Sequence, residues 1–506
     1  MIRGYDAQAV RDAEAPLLAA GEPLMLRAAR ALADHVVARF GTEHGSASRR
    51  VLVLAGAGAN GGDGLHAAAM LRREGIAADA VATAARVHEE GAAALRDAGG
   101  TLHRLVDLSP AQLDDLLVRT DLVLDAIVGI GGRPESPAEC RPLLDAVWQQ
   151  AVPVIAVDLP SFVDATTGRA DSEALPAEET LTFGAVKAGL LLPGGAELAG
   201  RIRLVDLGIG AHLPAVAAVE RLTDEDARAL LPRARREDSK YTRGVVALAA
   251  GSEQFPGAAV LAASGSARAG AGMVRVLAPA AVLDLVLRER PEIVGHRLES
   301  GSGETGAVDL GQMGRTDALV VGPGLPADDP RVAAGVDRLR RESGSLGRGV
   351  LDAGALGILT VSHRFGPDVV LTPHRGEAER LARRLDLDPD LPGRLLAPAL
   401  ARATGATVLL KGAVTLIAPG DGGALRAQDD ATPQLATAGT GDVLAGLLGT
   451  LLAAGLSGPD AAALGAMLHG RAGRLASHGG LQPLVALEVA AHLPAAIGTI
   501  LAGAQT

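Results

Sequence analysis

The 506-residue sequence has few cysteines, aromatic residues, lysines or asparagines. Its single cysteine, Cys140, excludes an internal disulfide and a zinc cluster built on several cysteines. Aromatic residues make up only 2% of the chain, so the core must be aliphatic. The basic residues include three lysines, Lys187, Lys240 and Lys411, and Asn60 is the one asparagine. Because arginine cannot replace a compact ammonium at a tight site, we expect lysine and asparagine to persist mainly where the side chain matters.

Other absences exclude broad functional classes. A net charge of −11 and the lack of a basic run argue against a nucleic-acid-binding surface. The N-terminus shows no apolar secretion segment, and the longest apolar helix we expect, residues 443–456, is shorter than the ~20 residues that span a bilayer. We therefore expect a cytoplasmic protein with neither nucleic-acid nor membrane partners.

Apolar runs of β-type alternate with Ala/Leu-rich helices along the whole chain, a pattern typical of α/β architecture. The length predicts roughly two to four domains, each large enough to bury its own core. A linker rich in alanine and valine at residues 211–219 places a boundary near residue 220. We therefore predict two domains, residues 1–220 and 221–506, the first beginning with a helical arm over residues 1 to about 48.

A glycine-rich segment follows the first apolar run of the N-terminal half and is expected as a loop before a helix over residues 65–73. In A-G-A-G-A-N-G-G-D-G, the glycines at 56, 58 and 61 satisfy the G-x-G-x-x-G spacing of dinucleotide-binding turns. Asp63 lies where the pyrophosphate of a dinucleotide would sit, which argues against a simple dinucleotide site. Asn60 and Asp63 together fit a loop that holds a cation as well as a ligand.

Two later apolar runs end in carboxylates, Asp125 and Asp158, and Ser161 follows the second. The carboxyl ends of parallel strands meet at one edge of a sheet, so these side chains and Asn60 are expected to lie close together. Hard oxygen ligands suit alkali and alkaline-earth cations rather than zinc. The alternative is that both aspartates only cap the loops that follow their strands.

Four motifs of this half, A-N-G-G-D-G-L, D-A-I-V-G-I-G, V-D-L-P-S and T-F-G-A-V-K-A-G-L, resemble in order the YjeF N-terminal family of NAD(P)H-hydrate epimerases. The resemblance covers roughly residues 1 to 215. It implies a Rossmann-like three-layer α/β/α domain that inverts C6 of hydrated NADH or NADPH (NADHX or NADPHX), with Asp158 and Lys187 as acid–base groups. It also implies K⁺ held by Asn60, Asp125 and Ser161. The implied nucleotide contacts are Ala59, Asn60, Gly61, Gly62, Asp63, Gly129, Ile130, Gly131, Gly132, Arg133, Pro134, Glu135 and Asp158.

This half departs from the family pattern at three positions. Ala59 stands where the first asparagine is usual, and Phe162 and Asp164 replace a glycine and an asparagine after the D-x-P-S motif. The alternative to an epimerase is an N-terminal domain that binds a nucleotide or a protein partner without catalysis.

The C-terminal half is organised around L-A-T-A-G-T-G-D-V-L-A-G, residues 435–446. Its Gly-Thr-Gly turn delivers Asp442 at the start of an apolar helix. Unpaired backbone N–H groups at a helix start attract phosphate, and glycine lets the backbone approach it closely. An acid at that point is costly unless it handles a proton or a cation, so Asp442 is a candidate base. The alternative is an aspartate N-cap with a flexible lead-in.

Further apolar runs of this half end in Gly324, Asp352, His374 and Lys411, which predicts one nucleotide crevice lined by many strand ends. The G-x-x-x-x-G-K-[ST] sequence of P-loop proteins is absent. Lys411 is a candidate contact to phosphate. His374 is either part of the crevice or a solvated loop residue.

Seven segments, among them F-P-G-A-A, A-G-A-G-M-V-R-V, V-V-G-P-G-L, L-T-P-H-R-G-E and L-L-K-G-A-V-T, resemble the YjeF C-terminal family of NAD(P)H-hydrate dehydratases over about residues 222 to 506. The resemblance implies a ribokinase-like α/β domain, ADP as co-substrate, Mg²⁺, and Asp442 as the base. The implied contacts to the hydrated nucleotide are Ala258, Gly324, His374 and Asp442. The implied contacts to the phosphate donor are Lys411, Gly412, Ala413, Val414, Thr415 and Gly441.

This half departs from its family at Arg375, Gly354 and Ala438, none of which is an implied catalytic side chain. The two resemblances together predict a bifunctional repair enzyme that epimerises hydrated NAD(P)H and dehydrates it at the expense of ADP. A small-molecule kinase of the hydroxymethylpyrimidine type, with a non-catalytic N-terminal domain, is the alternative. We also expect a homo-oligomer.

Overall fold

The structure, a computed structural model, describes residues 1–41, 49–298, 308–340 and 347–503. The chain divides between Val219 and Glu220 into two compact units, and Met1 is grouped with the second. The predicted α/β architecture is confirmed in both units. Within the described ranges, the helices are too short or too polar to cross a membrane.

The first unit is built on a parallel sheet. Its strands are β1 (Ile2–Tyr5), β2 (Arg50–Ala55), β3 (Ala77–Ala82), β4 (Leu102–Arg104), β5 (Leu122–Ala126), β6 (Val154–Val157), β7 (Glu179–Phe183), β8 (Val186–Lys187) and β9 (Arg201–Val205). Seven of them pair in the order β4-β3-β2-β5-β6-β7-β9, all parallel. The central strands are buried on both faces, as their continuous Val/Leu/Ile runs predict.

The helices of the first unit are α1 (Ala7–Ala19), α2 (Leu24–Phe40), α3 (Ala59–Arg73), α4 (Glu89–Asp97), α5 (Pro110–Val118), α6 (Arg141–Gln149) and the short α7 (Gly195–Leu198). The prediction of a helical arm is correct for α1 and α2 but wrong for the first residues. Residues 2–5 form β1 because they pair in parallel with β8, with Gly4 opposite Val186. The end of the predicted arm, residues 42–48, lies outside the described residues.

Strand order in this unit reverses between β2 and β5. From β2 the chain proceeds outward to β3 and β4, and it then returns to the other side of β2 to form β5. A reversal of this kind leaves a crevice beyond the carboxyl ends of the two strands, between the connections that diverge from them. The start of α3 and the loop after β5 flank that crevice.

The second unit also contains a long sheet. After β10 (Val219–Arg221), which spans the division, its strands are β11 (Val245–Ala249), β12 (Met273–Ala278), β13 (Val294–Arg297), β14 (Ala318–Val321), β15 (Gly349–Leu351), β16 (Val369–Leu371), β17 (Thr407–Leu410), β18 (Thr415–Ala418) and β19 (Leu425–Gln428). They pair in the order β13-β12-β11-β14-β15-β16-β17-β18-β19. Pairing is parallel from β13 to β17 and antiparallel in the last two pairs.

The helices of the second unit are α8 (Asp224–Leu230), α9 (Gly257–Arg268), α10 (Ala280–Glu289), α11 (Pro330–Leu339), α12 (Arg375–Arg384), α13 (Gly393–Thr404), α14 (Thr440–Ala453), α15 (Gly458–Ala476) and α16 (Ala486–Ala502). Helix α14 is buried along almost its whole length in an aliphatic core. Small residues let it approach α9 at backbone contact distance. A Cβ atom added at Gly446 would lie 2.0 Å from the carbonyl oxygen of Ala262, and one added at Gly265 would lie 2.3 Å from that of Val443. This close packing fixes the position of the start of α14.

Candidate active sites

A cavity of about 550 Å³ opens at the β2–β5 reversal of the first unit. Of the residues implicated by sequence, eight line it: Ala59, Asn60, Asp63, Gly129, Ile130, Gly131, Gly132 and Asp158. Eight further described residues implicated by sequence do not line it: Gly61, Gly62, Asp125, Arg133, Pro134, Glu135, Ser161 and Lys187. The crevice thus brings together the two glycine loops and one strand-end carboxylate, while residues 133–135 lie outside it.

The segment expected as a loop before a helix at residue 65 is already helical from residue 59. Gly58 is the residue before the first turn of α3, residues 59–62 form that turn, and Asp63 begins the second. Close packing explains the glycines on either side. A Cβ atom at Gly56 would lie 1.9 Å from the carbonyl oxygen of Ile127, and one at Gly61 would lie 2.1 Å from that of Gly56. The helix start therefore abuts the loop after β5 directly.

Asp158 and Lys187 form a buried ion pair at the edge of this cavity. Lys187 is 1% exposed, and its ammonium also donates to the hydroxyl of Thr182 at 3.2 Å and the carbonyl of Phe183 at 2.8 Å. The same carboxylate oxygen of Asp158, Oδ1, accepts from the backbone N–H of Phe183 at 3.2 Å. Asp158 adopts a left-handed backbone conformation, φ 70°, which is rare for a non-glycine residue and common at functional sites.

Asp125 and Ser161 lie behind the cavity wall and hold each other. The Ser161 hydroxyl donates to Oδ1 of Asp125 at 2.5 Å and its backbone N–H to Oδ2 at 2.8 Å. Burial raises the pKa of Asp125, and the two bonds from Ser161 oppose that rise. The Ser161 hydroxyl oxygen in turn accepts the N–H of Val128 at 3.0 Å, which ties this pair to the loop after β5.

Asn60 carries a buried side-chain nitrogen, Nδ2, with no hydrogen-bond partner among the described residues. Amide nitrogen and oxygen are assigned from their surroundings, so an unpartnered position suits either atom. An amide oxygen at that position, with the Asp125 carboxylate and the Ser161 hydroxyl, offers only hard oxygen donors. This donor set fits an alkali cation.

Two carboxyl groups of the cavity have raised pKa values. Burial raises the pKa of Asp63 well above its usual range, and the nearby Asp158 adds to the rise. Burial also raises the pKa of Glu14, against the effect of Lys187. Glu14 lies on α1 and escaped sequence reasoning. A signal was present, because it stands four residues after the buried Val10, on the apolar face of an amphipathic helix.

In the second unit, the Gly-Thr-Gly turn opens α14 as predicted. Gly439 has φ 88° and precedes the helix, and Asp442 lies in its first turn. Burial raises the pKa of Asp442 to about 7, with a further contribution from Asp352 and an opposing one from Lys411. A carboxyl group with a pKa near neutrality is suited to accept a proton.

Lys411 follows β17 and forms an ion pair with Asp352, with 3.1 Å between Nζ and Oδ1. Its second carboxylate neighbour is Glu377, at 3.9 Å. Burial alone would lower the pKa of Lys411, but these two carboxylates outweigh it and raise the pKa. A Cβ atom at Gly441 would lie 3.5 Å from the ammonium, so Lys411 stands over the helix-start turn.

No catalytic or binding role was predicted for Asp352 or Glu377, although both follow strands that were expected to line the crevice. The Asp352 carboxylate is buried after β15 and accepts a 2.8 Å hydrogen bond from the Thr372 hydroxyl as well as the Lys411 bond. Sequence reasoning noted that an apolar run ends at Asp352, which was the available signal. It gave no partner for this carboxylate, because Lys411 is 59 residues away in the chain.

His374 acts as a helix cap. Its Nδ1 atom accepts from the backbone N–H groups of Gly376 at 3.1 Å and Glu377 at 3.4 Å at the start of α12. The Glu377 carboxylate accepts from the His374 backbone N–H at 2.9 Å, which completes a reciprocal cap. The imidazole remains 56% exposed, and its Nε2 atom lies 3.5 Å from the carboxylate of Glu377.

Gly324 and Ala258, both implicated by sequence, lie against each other. A Cβ atom at Gly324, which has φ 65°, would lie 2.5 Å from the Ala258 side chain. One turn further along α9, Leu261 contacts the turn at Gly439. A Cβ atom added at Gly439 would lie 2.4 Å from Cδ1 of Leu261. The start of α9 thus joins Gly324 to the start of α14.

The segment 411–415, predicted to contact the phosphate donor, is the turn between the antiparallel strands β17 and β18. Beneath the start of α14 lies His469, whose Nε2–H donates to the carbonyl of Thr440 at 2.9 Å. Burial lowers the pKa of His469 to about 4, so the ring is neutral at physiological pH. It was not predicted, because it lies on α15, 29 residues from Thr440.

Comparison with known proteins follows the same division of the chain. A family described as YjeF-related protein N-terminus matches residues 21–189, and one described as NAD(P)H-hydrate dehydratase matches residues 246–492. A Mycobacterium tuberculosis (strain CDC 1551 / Oshkosh) protein named bifunctional NAD(P)H-hydrate repair enzyme Nnr is 40% identical over 473 residues, 91% of each chain. A Microbacterium testaceum (strain StLB037) protein named NAD(P)H-hydrate epimerase is 45% identical over 236 residues, 45% of this chain and 89% of that one. A crystal structure of the ADP/ATP-dependent NAD(P)H-hydrate dehydratase from Bacillus subtilis, co-crystallised with ATP and Mg²⁺, has a TM-score of 0.49 and 32% identity; the match covers 56% of this chain and 99% of that one.

Proposed function

This chain belongs to the bifunctional NAD(P)H-hydrate repair enzymes, and from that premise we propose which residues carry each of its two reactions. The unit that ends at Val219 is the epimerase and the unit that begins at Glu220 is the dehydratase. The observation that carries the assignment is Asp442, a carboxyl group with a pKa of about 7 in the first turn of a buried helix whose N–H groups are free to bind phosphate.

Dehydration needs a better leaving group than hydroxide. Asp442 removes the proton from the hydroxyl at C6 of the hydrated ring, and that oxygen attacks the terminal phosphorus of ADP, so that AMP leaves. The phosphorylated ring then expels phosphate with assistance from its enamine nitrogen, and loss of a proton from C5 to the departing phosphate or to water restores the double bond of reduced nicotinamide. The backbone N–H groups at Gly439–Gly441 stabilise the charge that moves through the phosphoryl group.

Residues around the Gly439–Gly441 turn bind the two nucleotides. Lys411, residues 412–415 and Gly441 bind the phosphates of ADP, and Ala258, Gly324 and the exposed ring of His374 contact the hydrated nucleotide. The proximity of Lys411 to Gly441 supports a shared phosphate site. Mg²⁺, when bound, neutralises phosphate charge.

Epimerisation takes place in the cavity of the first unit. The hydrated ring lies against the loop after β5, and Asp158, fixed by Lys187, exchanges a proton with the oxygen at C6. The buried ion pair supports this role, because taking two charges out of water is costly and this pair lies at the edge of the cavity. It also argues against a merely nucleotide-binding N-terminal unit.

A potassium ion held by Asn60, Asp125 and Ser161 would neutralise the buried carboxylate and orient the loop after β5. The unpartnered amide of Asn60 and the raised pKa of Asp125 support this assignment. Thermal unfolding tests this assignment without an activity assay. K⁺ should raise the unfolding temperature of the protein more than Na⁺ does, and Asp125→Asn should abolish the difference.

The protein is further proposed to act in the cytoplasm as a homo-oligomer. Its one cysteine is a buried free thiol, which suits a reducing compartment. Exposed apolar side chains such as Leu481 and Val485 support a subunit contact on the second unit. Sedimentation of the purified protein tests the oligomeric state.

The experiment that tests the assignment gives the enzyme both epimers of NADHX with ADP, Mg²⁺ and K⁺, and follows the near-ultraviolet absorbance of reduced nicotinamide. The wild-type enzyme should restore the full absorbance expected from both epimers. Asp442→Asn should slow restoration by roughly 10²- to 10⁴-fold while still interconverting the epimers, and Lys187→Met should restore one epimer only, beyond spontaneous exchange. Near-wild-type dehydration by Asp442→Asn would falsify the base assignment.

A further inference from the structure

Two carboxyl groups in the cavity of the first unit have contrasting surroundings. Asp158 is held by the Lys187 ammonium, the Thr182 hydroxyl and the Phe183 N–H, all on its Oδ1 atom. Asp63 is only 9% exposed, and within the described residues no hydrogen bond or ion pair reaches its carboxyl group. The Asp158 carboxylate therefore has direct hydrogen-bond and ion-pair partners, while the Asp63 carboxyl group has none among the described residues.

The same two groups enter the cavity from different strands. Asp63 lies in the second turn of α3, which follows β2, and Asp158 follows β6. Strand β5 lies between β2 and β6, so two strand spacings, roughly 10 Å, separate the elements that carry them. The Gly129–Gly132 loop after β5 lines the cavity in that gap. A six-membered ring placed there would have a carboxyl group on each side.

The proton state of Asp63 follows from its neighbours. Burial raises its pKa, the charges of Asp158 and Glu14 add to the rise, and only Lys187 opposes it. The remaining lining near it is apolar and includes Leu24, Met25 and Ala28 of α2. A pair of carboxyl groups whose surroundings favour opposite proton states is the arrangement that assigns one as acid and the other as base.

We infer that Asp63 is the second catalytic residue of the epimerase and acts as general acid opposite Asp158. For one epimer, the C6–O bond breaks with electron donation from the ring nitrogen, and the Asp63 proton goes to the departing oxygen, which leaves as water. A second water forms the new C6–O bond on the other face and gives its proton to Asp158. Solvent then returns the proton from Asp158 to Asp63. The other epimer follows the same path in reverse, and no oxidant or co-substrate is needed.

This inference rests on the proposed epimerase function, and oxygen exchange separates the two. In water enriched in ¹⁸O, each inversion by the wild-type enzyme should place one solvent oxygen at C6. Wild-type enzyme that does not interconvert the epimers would overturn the proposed function itself. Inversion that retains the original oxygen would leave the epimerase standing and overturn the elimination step assigned to Asp63.

Substitution tests the residue. Asp63→Asn should lower the turnover number for epimerisation at least about 100-fold with little change in KM, and Asp63→Glu, which keeps a carboxyl group, should recover part of that loss. Asp97→Asn, at an exposed position on α4, is the matched control and should behave as wild type. Wild-type turnover should fall as pH rises, because the acid must be protonated. Full activity of Asp63→Asn, or loss in Glu14→Gln alone, would overturn the assignment.

Discussion

The Nζ atom of Lys411 lies 3.1 Å from Oδ1 of Asp352, and this ion pair borders the carboxyl group of Asp442. The two partners act on Asp442 in opposite directions, because the Asp352 charge raises its pKa and the Lys411 charge lowers it. Their balance, on top of burial, leaves Asp442 with a pKa near neutrality. The pKa of Asp442 is therefore set by its burial at a helix start and by two charged residues that follow two different strands.

The first prediction concerns Asp352→Asn. Wild-type kcat/KM for dehydration at saturating ADP should rise with pH through about 7, because Asp442 must lose its proton to act as a base. Removing the neighbouring negative charge eases that ionisation, so the rise should move to lower pH in the variant. The measurement is a pH–rate profile. Asp284→Asn, on the exposed side of α10, is the control, and an unshifted midpoint in Asp352→Asn would contradict the prediction.

The second prediction concerns the stability of the second unit. The pKa of Asp442 rises from 3.8 in the unfolded chain to about 7 in the folded one, so the folded state binds the proton more tightly. The free energy of unfolding should therefore fall as pH rises from about 4 to 7. Asp442→Asn removes this loss and should be more stable than wild type by on the order of 2 kcal/mol at pH 8, with little difference at pH 4. Urea unfolding at both pH values tests it. Equal differences at the two pH values would show that ionisation of Asp442 is not the cause.

The third prediction concerns the Asp158–Lys187 pair. Removal of one partner leaves an uncompensated buried charge, so Lys187→Met and Asp158→Asn should each destabilise the first unit by about 3–5 kcal/mol. The double variant should be more stable than the sum of the two losses predicts, because neither charge remains. Epimerase activity should be lost in all three. Additive losses in denaturant unfolding would mean that the two side chains do not stabilise each other.

The fourth prediction concerns the cavity floor. In Gly129→Ala the new methyl group would lie 3.0 Å from Oδ1 of Asn60 and 3.2 Å from Oδ2 of Asp158, within the space that the hydrated ring needs. We expect epimerisation to fall at least about 10-fold through a higher KM, with dehydration unchanged. Gly210→Ala, where an added Cβ meets nothing within 4 Å, is the matched control. A Gly129→Ala enzyme with wild-type KM would place the substrate elsewhere.

Structural elements that are encoded by patterns within a few neighbouring residues were predictable from sequence. Apolar runs located the strands that end at Asp125, Asp158 and Lys411, and the Gly-Thr-Gly turn located the start of α14. The bias of the composition also marked Asn60, which lines the first cavity. The same bias also marked Lys240, which is exposed, lies beside the ring of Tyr241 and belongs to neither candidate site.

Contacts between distant segments were not predictable, because no local pattern encodes them. Glu14 reaches the cavity only because α1 packs against the sheet, and His469 reaches Thr440 only because α15 packs beneath α14. The helical start at Ala59 was missed because glycine and asparagine disfavour helices in isolation, and tertiary packing overrides that preference here. Residues 133–135 follow the glycine loop in sequence but do not line the cavity. Their position next to the loop in the sequence did not reveal that the chain leaves the cavity after Gly132.

The two units have separate aliphatic cores, and each carries its own candidate site. One act of translation therefore delivers the isomerase and the lyase in a strict one-to-one ratio, whatever the level of expression. The cell cannot adjust their relative abundance, so the balance between interconversion and consumption of the damaged cofactor depends on the turnover numbers of the two centres alone. Evolution of either rate must then proceed through substitutions within its own unit.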